Sequence, residues 1–450
     1  MTAHPRHART DMLMALVDTL NQSRVPYCVL HGYMGYPDEV PSDVDCLLPA
    51  TELPERVASL LHRSRDRLDA TLVQWLRHQA TAHYFVLARY RTHTRPEFIA
   101  FDASSDYRVR GSRLYRGEDL LGDRRLYNGF PVPSPAREFG YYLVKKVSKE
   151  TLTDAHGERL SQLYHQDAVG CEREIASFWK PASAGLIGAA ARSGAWEPVA
   201  AHLSGLRREL IRPRTPVGLL RTLEYWGRDL VRRLRRFLEP TGVQVVLLGP
   251  DGAGKSTVAS LVSEHLGPAF RRTTIRHLRP GLLRRGLVGP IAPPSAPHSR
   301  PPRSPVGSLA KLVFWLLDYT VGYYATVRPE LVRSTLVVFD RYLLDVLVDP
   351  IRYRYGGPRL MIRALWRVIP KPDLVILLDA PAEVLRARKL EVSPEETARQ
   401  REAYRSLVES LPNGHLVDAA QPVEQVAAQI DGIVLDFMHR RTALRLRMSQ

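Results

Sequence analysis

Lysine is scarce in this chain: only eight of its 64 basic residues are lysine, and the rest are arginine. Cysteine is scarcer still, with three in 450 residues, Cys28, Cys46 and Cys171, set far apart. That number and spacing make neither a disulfide framework nor a zinc pattern, and they fit a reducing compartment. The basic start, Met1–Arg9, leads into no apolar core of signal-peptide length, so a secretory signal is not expected. No transmembrane segment is expected either. The apolar stretch Lys311–Val327 is short for a span and carries Asp318, so it reads as a buried core helix. The compartment implied is cytoplasmic, with peripheral membrane contact left open.

What is present is a globular composition, 44% hydrophobic and 25% charged. The length allows roughly two or three domains with separate cores. The net charge of +17 creates a field that attracts phosphates, nucleic acid or an anionic membrane. A compositional bias toward arginine would give the same number, and both readings stand.

Three parts can be told apart. Residues 10–150 mix short strand patterns with turns, at Tyr27–Leu30, Val44–Leu48, Tyr84–Tyr90 and Phe98–Asp102. The last two, joined by Arg91–Glu97, read as a hairpin. Helices are expected over Asp11–Gln22 and Leu53–Arg63. Residues 151–240 form a basic helical connector. In it Leu219, Leu220, Leu223, Trp226, Leu230, Leu234 and Phe237 recur at helical spacing. Arg221, Arg228, Arg232, Arg235 and Arg236 fill much of the remaining surface, which suits either a membrane-surface helix or a solvated helix packed on its own protein. Residues 241–437 alternate strand and helix. The apolar runs Val243–Leu248, Leu336–Phe339 and Leu374–Leu378 suit buried parallel strands. Gly289–Ser308, dense in proline, reads as a mobile loop within that domain. The basic tail Arg440–Gln450 is expected to be loose.

The chemistry is most legible at Gly249-Pro250-Asp251-Gly252-Ala253-Gly254-Lys255-Ser256-Thr257, which fits G-x-x-x-x-G-K-[ST]. A buried strand leads in and a helical pattern leads out, as a phosphate loop requires. Glycines let the backbone approach phosphates closely, and amides at the helix N-terminus point positive ends at the anion. Lys255 can reach the β- and γ-phosphates as a compact charge, and the Ser256 hydroxyl can ligate Mg²⁺. Asp340, ending the strand Leu336–Phe339, can orient Mg²⁺ or act on the acceptor, and Arg341 can clamp an acceptor phosphate. The plainer alternative is a strand-end ion pair. Arg386, Arg388 and Lys389 can offset charge on a transferring phosphoryl group, or can be a solvated basic helix face.

Gly249–Thr257, the triplet Asp340-Arg341-Tyr342, Pro372–Asp379, the run 386–389 and Arg401–Tyr404 occur in the order seen in thymidylate kinases. Residues 241–415 resemble that family. The resemblance implies a nucleoside-monophosphate-kinase α/β fold with a parallel sheet, and ATP and Mg²⁺. It also implies Lys255 and the lid arginines Arg386 and Arg388 as phosphoryl stabilisers, with Arg341 on the acceptor phosphate. Three features depart from the family. Leu317-Asp318-Tyr319 stands where the family has Ala-Asp-Arg. Asp345, Asp349, Arg352 and Arg354 lie where it has Ala-Tyr-Gln. The proline-rich loop replaces the usual acceptor-side loop. The acceptor is left as dTMP, another nucleotide or a phosphorylated sugar-like metabolite, and a homodimer is allowed.

A second constellation lies near the start. Leu30-His31-Gly32 ends an apolar strand, and Asp43-Val44-Asp45 follows. Carboxylates at i and i+2 on a strand share a face, roughly 6–7 Å apart. Two such groups, with Asp102 from a neighbouring strand, could hold divalent metal. Residues 25–105 resemble nucleotidyltransferases of the polymerase-β type, an α+β fold, with Gly32-Tyr33 where the family has Gly-Ser. The expected activity is thus ATP-dependent phosphoryl transfer. A nucleotide-gated binding or assembly protein at an anionic surface, or a nucleotidyltransferase acting through the N-terminal part, are the alternatives.

Overall fold

Residues 82–89 and 97–104, rich in buried apolar side chains, pair antiparallel as the expected hairpin within the N-terminal sheet. The computed structural model describes residues 5–40, 43–79, 81–109, 112–211, 216–281, 301–388 and 393–448. Lys389 and most of the proline-rich stretch, 289–300, lie outside the described residues. The chain divides into two units. The first comprises Met1–Arg89, Glu97–Arg232 and His439–Gln450, and the second Tyr90–Pro96 and Arg233–Met438.

In the first unit, strands β1 (Cys28–Val29), β2 (Val44–Leu47), β3 (Thr71–Gln79), β4 (Ala82–Arg89) and β5 (Glu97–Ser104) form a sheet of order β1-β2-β5-β4-β3. β2 and β5 are parallel, with Asp45 opposite Asp102, and the other neighbours are antiparallel. The helix Pro5–Gln22 sets Met12, Leu13, Leu16 and Leu20 into a core with Phe85 and Phe101. Two short ribbons follow, β6 (Asp106–Val109) with β7 (Ser112–Arg116), and β8 (Arg124–Tyr127) with β9 (Phe130–Pro133). β3 was not expected from sequence. Leu72, Val73 and Gln74 are all buried and the register shifts there, so the strand lacks a clean period of two.

The helix Pro135–Lys149 buries Phe139, Leu143, Val144 and Val147. It shares a core with Leu160, Leu163 and Ile175 from the helices Asp154–Gln166 and Ala168–Phe178. All three cysteines are free and buried. The tail corrects an expectation, because Arg440–Met448 is helical, not loose. Thr442 and Leu446 stand four apart, on one helix face. The Thr442 hydroxyl donates to the Val73 carbonyl at 2.9 Å, and Leu446 is 5% exposed within the sheet core.

The second unit is built on five parallel strands: β10 (Val243–Leu248), β11 (Arg272–His277), β12 (Thr335–Asp340), β13 (Leu374–Asp379) and β14 (Gly414–Asp418). Their order is β11-β12-β10-β13-β14. β10 and β12 are buried throughout, and β13 is buried up to Asp379. These interior strands are the apolar runs visible in the sequence. The edge strands β11 and β14 carry polar, half-exposed residues and gave no such signal.

Ser304 caps the helix Pro305–Leu317, accepting from the Gly307 amide at 3.2 Å, and a π-helical stretch Asp318–Val327 continues it. Part of the expected loop, Pro305–Ser308, is therefore the first turn of a helix. The core helix expected over Lys311–Val327 is buried on one face, at Trp315, Tyr319, Tyr323 and Val327. Its other face exposes Val313, Leu317, Val321 and Tyr324. Among the described residues no helix is long and apolar enough to cross a membrane.

Candidate functional site

The phosphate loop sits where the sequence places it, between β10 and the helix Lys255–His265. Gly249, Gly252 and Gly254 have φ of 146°, 85° and 84°, which L side chains avoid. A Cβ on Gly249 would stand 2.8 Å from the Leu378 carbonyl, so the loop is pressed against the end of β13. Lys255 is 5% exposed, and its ammonium donates to the carbonyls of Gly249 and Pro250, both at 2.8 Å. Burial, then the Arg341 guanidinium, push its pKa down to about 7, against the opposing pull of Asp251, Asp340 and Asp345.

Ser256 donates to Asp340 Oδ2 at 2.5 Å. The other oxygen, Asp340 Oδ1, is buried with no hydrogen-bond partner. A hydroxyl beside an orphaned carboxylate oxygen, next to a phosphate loop, fits a hard oxygen-seeking cation such as Mg²⁺. Arg341 follows at φ 74°, the left-handed region that a non-glycine residue rarely adopts, and its amide bonds the Leu247 carbonyl at 3.1 Å. Its guanidinium donates to Asp251 of the loop and lies 3.7 Å from Asp345. Arg352 also donates to Asp251. One loop carboxylate thus gathers two guanidiniums at the mouth of the site. Tyr342 turns inward, fully buried, with Tyr319 edge-on at 4.9 Å.

Beside Asp340, the Leu278 amide bonds the Asp340 carbonyl at 3.1 Å. From Leu278 a cavity of about 470 Å³ opens, lined by Arg279, Arg303, Lys311, Phe314, Trp315 and Tyr353 among others. Asp318, from the departing triplet, accepts from the Gly281 amide at 3.1 Å and stands 3.4 Å from Arg279. Tyr319 donates its hydroxyl to the Leu278 carbonyl. Both residues therefore shape the chain at the cavity entrance.

On the opposite side, the helix Ala382–Arg388 follows β13. Arg386 Nε is buried without a partner, while Arg388 donates to the Ala419 carbonyl at 2.8 Å. Asp379 is held by Arg401 through bonds of 2.7 and 3.0 Å. Of the two lid candidates, Arg386 has unfilled hydrogen-bonding capacity and Arg388 is engaged.

In the first unit, Asp43, Asp45 and Asp102 line one cavity of about 830 Å³, with Asp45 set opposite Asp102 by the strand pairing. Burial, then Asp45 and Asp43, push Asp102 up to about 7. Sequence reasoning missed the other half of this pocket. Lys145, Lys146 and Lys149, three of the eight lysines in the chain, line it from the helix Pro135–Lys149. The signal was available, since lysine is rare here and these three fall within five positions. Lys145 stands 3.6 Å from Asp45 and contacts His31 Nε2. Burial and Lys145 hold His31 down to about 3, so it is neutral and its 3.1 Å contact with Asp45 is no ion pair. Among the described residues no three His, Cys, Asp or Glu side chains converge to hold a metal ion. The three aspartates share a cavity, with lysine and histidine against Asp45. Tyr33, at the resembled family's Ser position, is 1% exposed and donates to Glu138.

A family model described as thymidylate kinase matches residues 307–430. The match begins beyond the phosphate loop and ends within the last helix, and it marks the C-terminal part as kinase-like. A crystal structure of thymidylate kinase from Ehrlichia chaffeensis is 16% identical, covering 42% of this chain and 97% of that one, with a TM-score of 0.30. No curated protein matches the chain.

Proposed function

We propose that the second unit transfers the γ-phosphoryl group of ATP to a phosphorylated small molecule, a dTMP-like nucleotide or a related metabolite. The observation that carries this reading is the convergence of Lys255, the Ser256–Asp340 pair and Arg341 on one phosphate loop. Loop amides and Lys255 hold the triphosphate. Ser256 and Asp340 are the residues that would hold Mg²⁺, which when bound neutralises phosphate charge and orients the donor. Arg341, with Arg352 beside it, receives the acceptor's phosphate, and Asp251 positions both guanidiniums. An acceptor oxygen then bonds to the γ-phosphorus while the bond to the β,γ-bridging oxygen breaks, leaving ADP. Arg386 is placed to offset the charge of the transferring group.

The experiment is ADP release by the full chain with ATP and a broad panel of nucleoside monophosphates and sugar phosphates. Acceptor-dependent release is expected, falling by about 10²–10³-fold or more in Lys255→Ala. If no acceptor in the panel stimulates release, the kinase reading is wrong.

Two further readings each have their own observation. The shared cavity of Asp43, Asp45 and Asp102 with Lys145, Lys146 and Lys149 favours nucleotidyl transfer by the first unit. Labelled transfer from ATP or UTP that persists in both Asp43→Asn and Asp45→Asn would exclude this site. The helix Pro216–Leu238 exposes Leu223, Trp226, Leu230, Leu234 and Phe237 beside arginines, which favours peripheral contact with an anionic membrane. Co-sedimentation with phosphatidylserine vesicles, reduced in Leu230→Asp/Leu234→Asp, tests it.

A further inference from the structure

The cavity beside Asp340 is unusual in how its charges are balanced. Among the described residues its lining holds three cations, Arg279, Arg303 and Lys311, and no carboxylate. Arg279 has buried Asp318 at 3.4 Å and stacks at 4.8 Å over Phe314. Arg303 makes no ion pair with any described residue. Lys311 lies 4.9 Å over the Trp315 ring and donates to the Tyr353 carbonyl, a neutral partner. Elsewhere in this unit several guanidiniums near the sheet meet acids: Arg341 and Arg352 meet Asp251, Arg401 meets Asp379, and Arg276 meets Glu330. In the cavity Arg279 alone has an acid beside it, and Lys311 has only a backbone carbonyl.

The electrostatics of Lys311 reflect the same surplus. Burial pushes it down to about 8, and after burial the contributions come from Arg303, Arg279 and Arg354, all cations. A cluster of like charges in a partly dry cavity is costly unless an anion arrives to neutralise it. A neutral ring stacked on Phe314 or Trp315 would leave that cost in place. The cavity also shares chain segments with the phosphate end of the site. Tyr353 lines it, one residue after Arg352, and its hydroxyl is buried without a partner. The Arg303 amide bonds the Arg354 carbonyl at 3.3 Å, which ties the cavity's rim to the same loop.

We infer that the acceptor carries a second anionic group, besides the phosphate on Arg341, and that Arg279, Arg303 and Lys311 bind it. The ligand class is a small phosphorylated molecule with a further phosphate or carboxylate. Its ring or chain lies over Phe314 and Trp315. This rests on the kinase reading for its acceptor site, and it sharpens which acceptor that site takes.

The test uses matched pairs: nucleoside 5′-monophosphates against nucleoside 3′,5′-bisphosphates, and glucose 1-phosphate against glucuronic acid 1-phosphate. Turnover is read as ADP release by the full chain, and binding is read in parallel by isothermal titration. In at least one pair the member with two anionic groups is expected to have a KM and Kd at least tenfold lower. Lys311→Met and Arg303→Gln should each collapse that ratio toward one, and Lys311→Arg should restore part of it. Equal constants across every pair, or a ratio untouched by both variants, overturns the inference. Preferential binding of the double anion without turnover upholds this site and sinks the kinase reading. Turnover without preference does the reverse, and neither binding nor turnover sinks both.

Discussion

Lys255 shows how much a single residue's surroundings decide. Its type and position follow from the motif, but its pKa of about 7 comes from burial and from Arg341, 86 residues away in the chain. A triphosphate binds the ammonium form, so binding raises this pKa and draws a proton from solvent above pH 7. ATP affinity should therefore fall as pH rises past about 7, by at most about tenfold per pH unit until the bound-state pKa is reached. Titration of the full chain with ATP from pH 6 to 9 checks this, and a flat affinity would show Lys255 charged throughout. Asp102 gives a second case with its own sign. Its folded pKa of about 7 lies above the ordinary 3.8, so between those values the folded state holds more protons than the unfolded one. Stability should fall as pH rises through that window. Asp102→Asn should remove this part of the slope in urea midpoints taken at pH 4.5 and 7. An unchanged slope would mean another group carries it. Asp43 and Asp45 could be named from sequence because i, i+2 spacing is a local rule, whereas the place of Asp102 opposite Asp45 is set by the long-range pairing of β2 with β5. The lysines facing them could not, because nothing local says which helix covers that sheet.

At the scale of elements, legibility followed burial. β10, β12 and β13 are interior strands with helices on both sides, and their sequences are near-continuous apolar runs. β11 and β14 sit at the edges, where one side is open and polar residues are tolerated, so periodicity failed. The last helix failed for the opposite reason. Its basic composition suggested a loose end, but a line of small and apolar residues on one face reaches a core. Leu446→Ala should cost about 2–5 kcal/mol, as buried leucine truncations do. Leu444→Ala, at a position 60% exposed, should change stability by no more than about 0.5 kcal/mol. Urea denaturation of both variants compares them, and equal losses would contradict the burial difference. The stretch Lys311–Val327 reads as a core helix, which holds for one face. Overall hydrophobicity sets how much apolar surface a helix has, but not how much of it finds a partner.

For the whole molecule, the first unit is assembled from three stretches of chain, and its last stretch is residues 439–450. A fragment ending at residue 240 would therefore lack Leu446 and the Thr442–Val73 bond that complete that unit. It should unfold at lower urea than the same unit in the full chain, as followed by tryptophan fluorescence. A fragment as stable as the intact unit would show that the returning helix adds nothing. The sequence by itself determined the phosphate loop, the parallel arrangement of the second unit and the i, i+2 spacing of Asp43 and Asp45. These depend on local spacing, on strand burial and on the conformational freedom of glycine. Only the tertiary structure decided what stands opposite them. It set Arg341 and Arg352 on Asp251, Lys145 on Asp45, and three cations around the cavity beside Asp340. Charges far apart in sequence meet only when strands and helices stack, and electrostatic interactions depend on distance in space, not on separation along the chain.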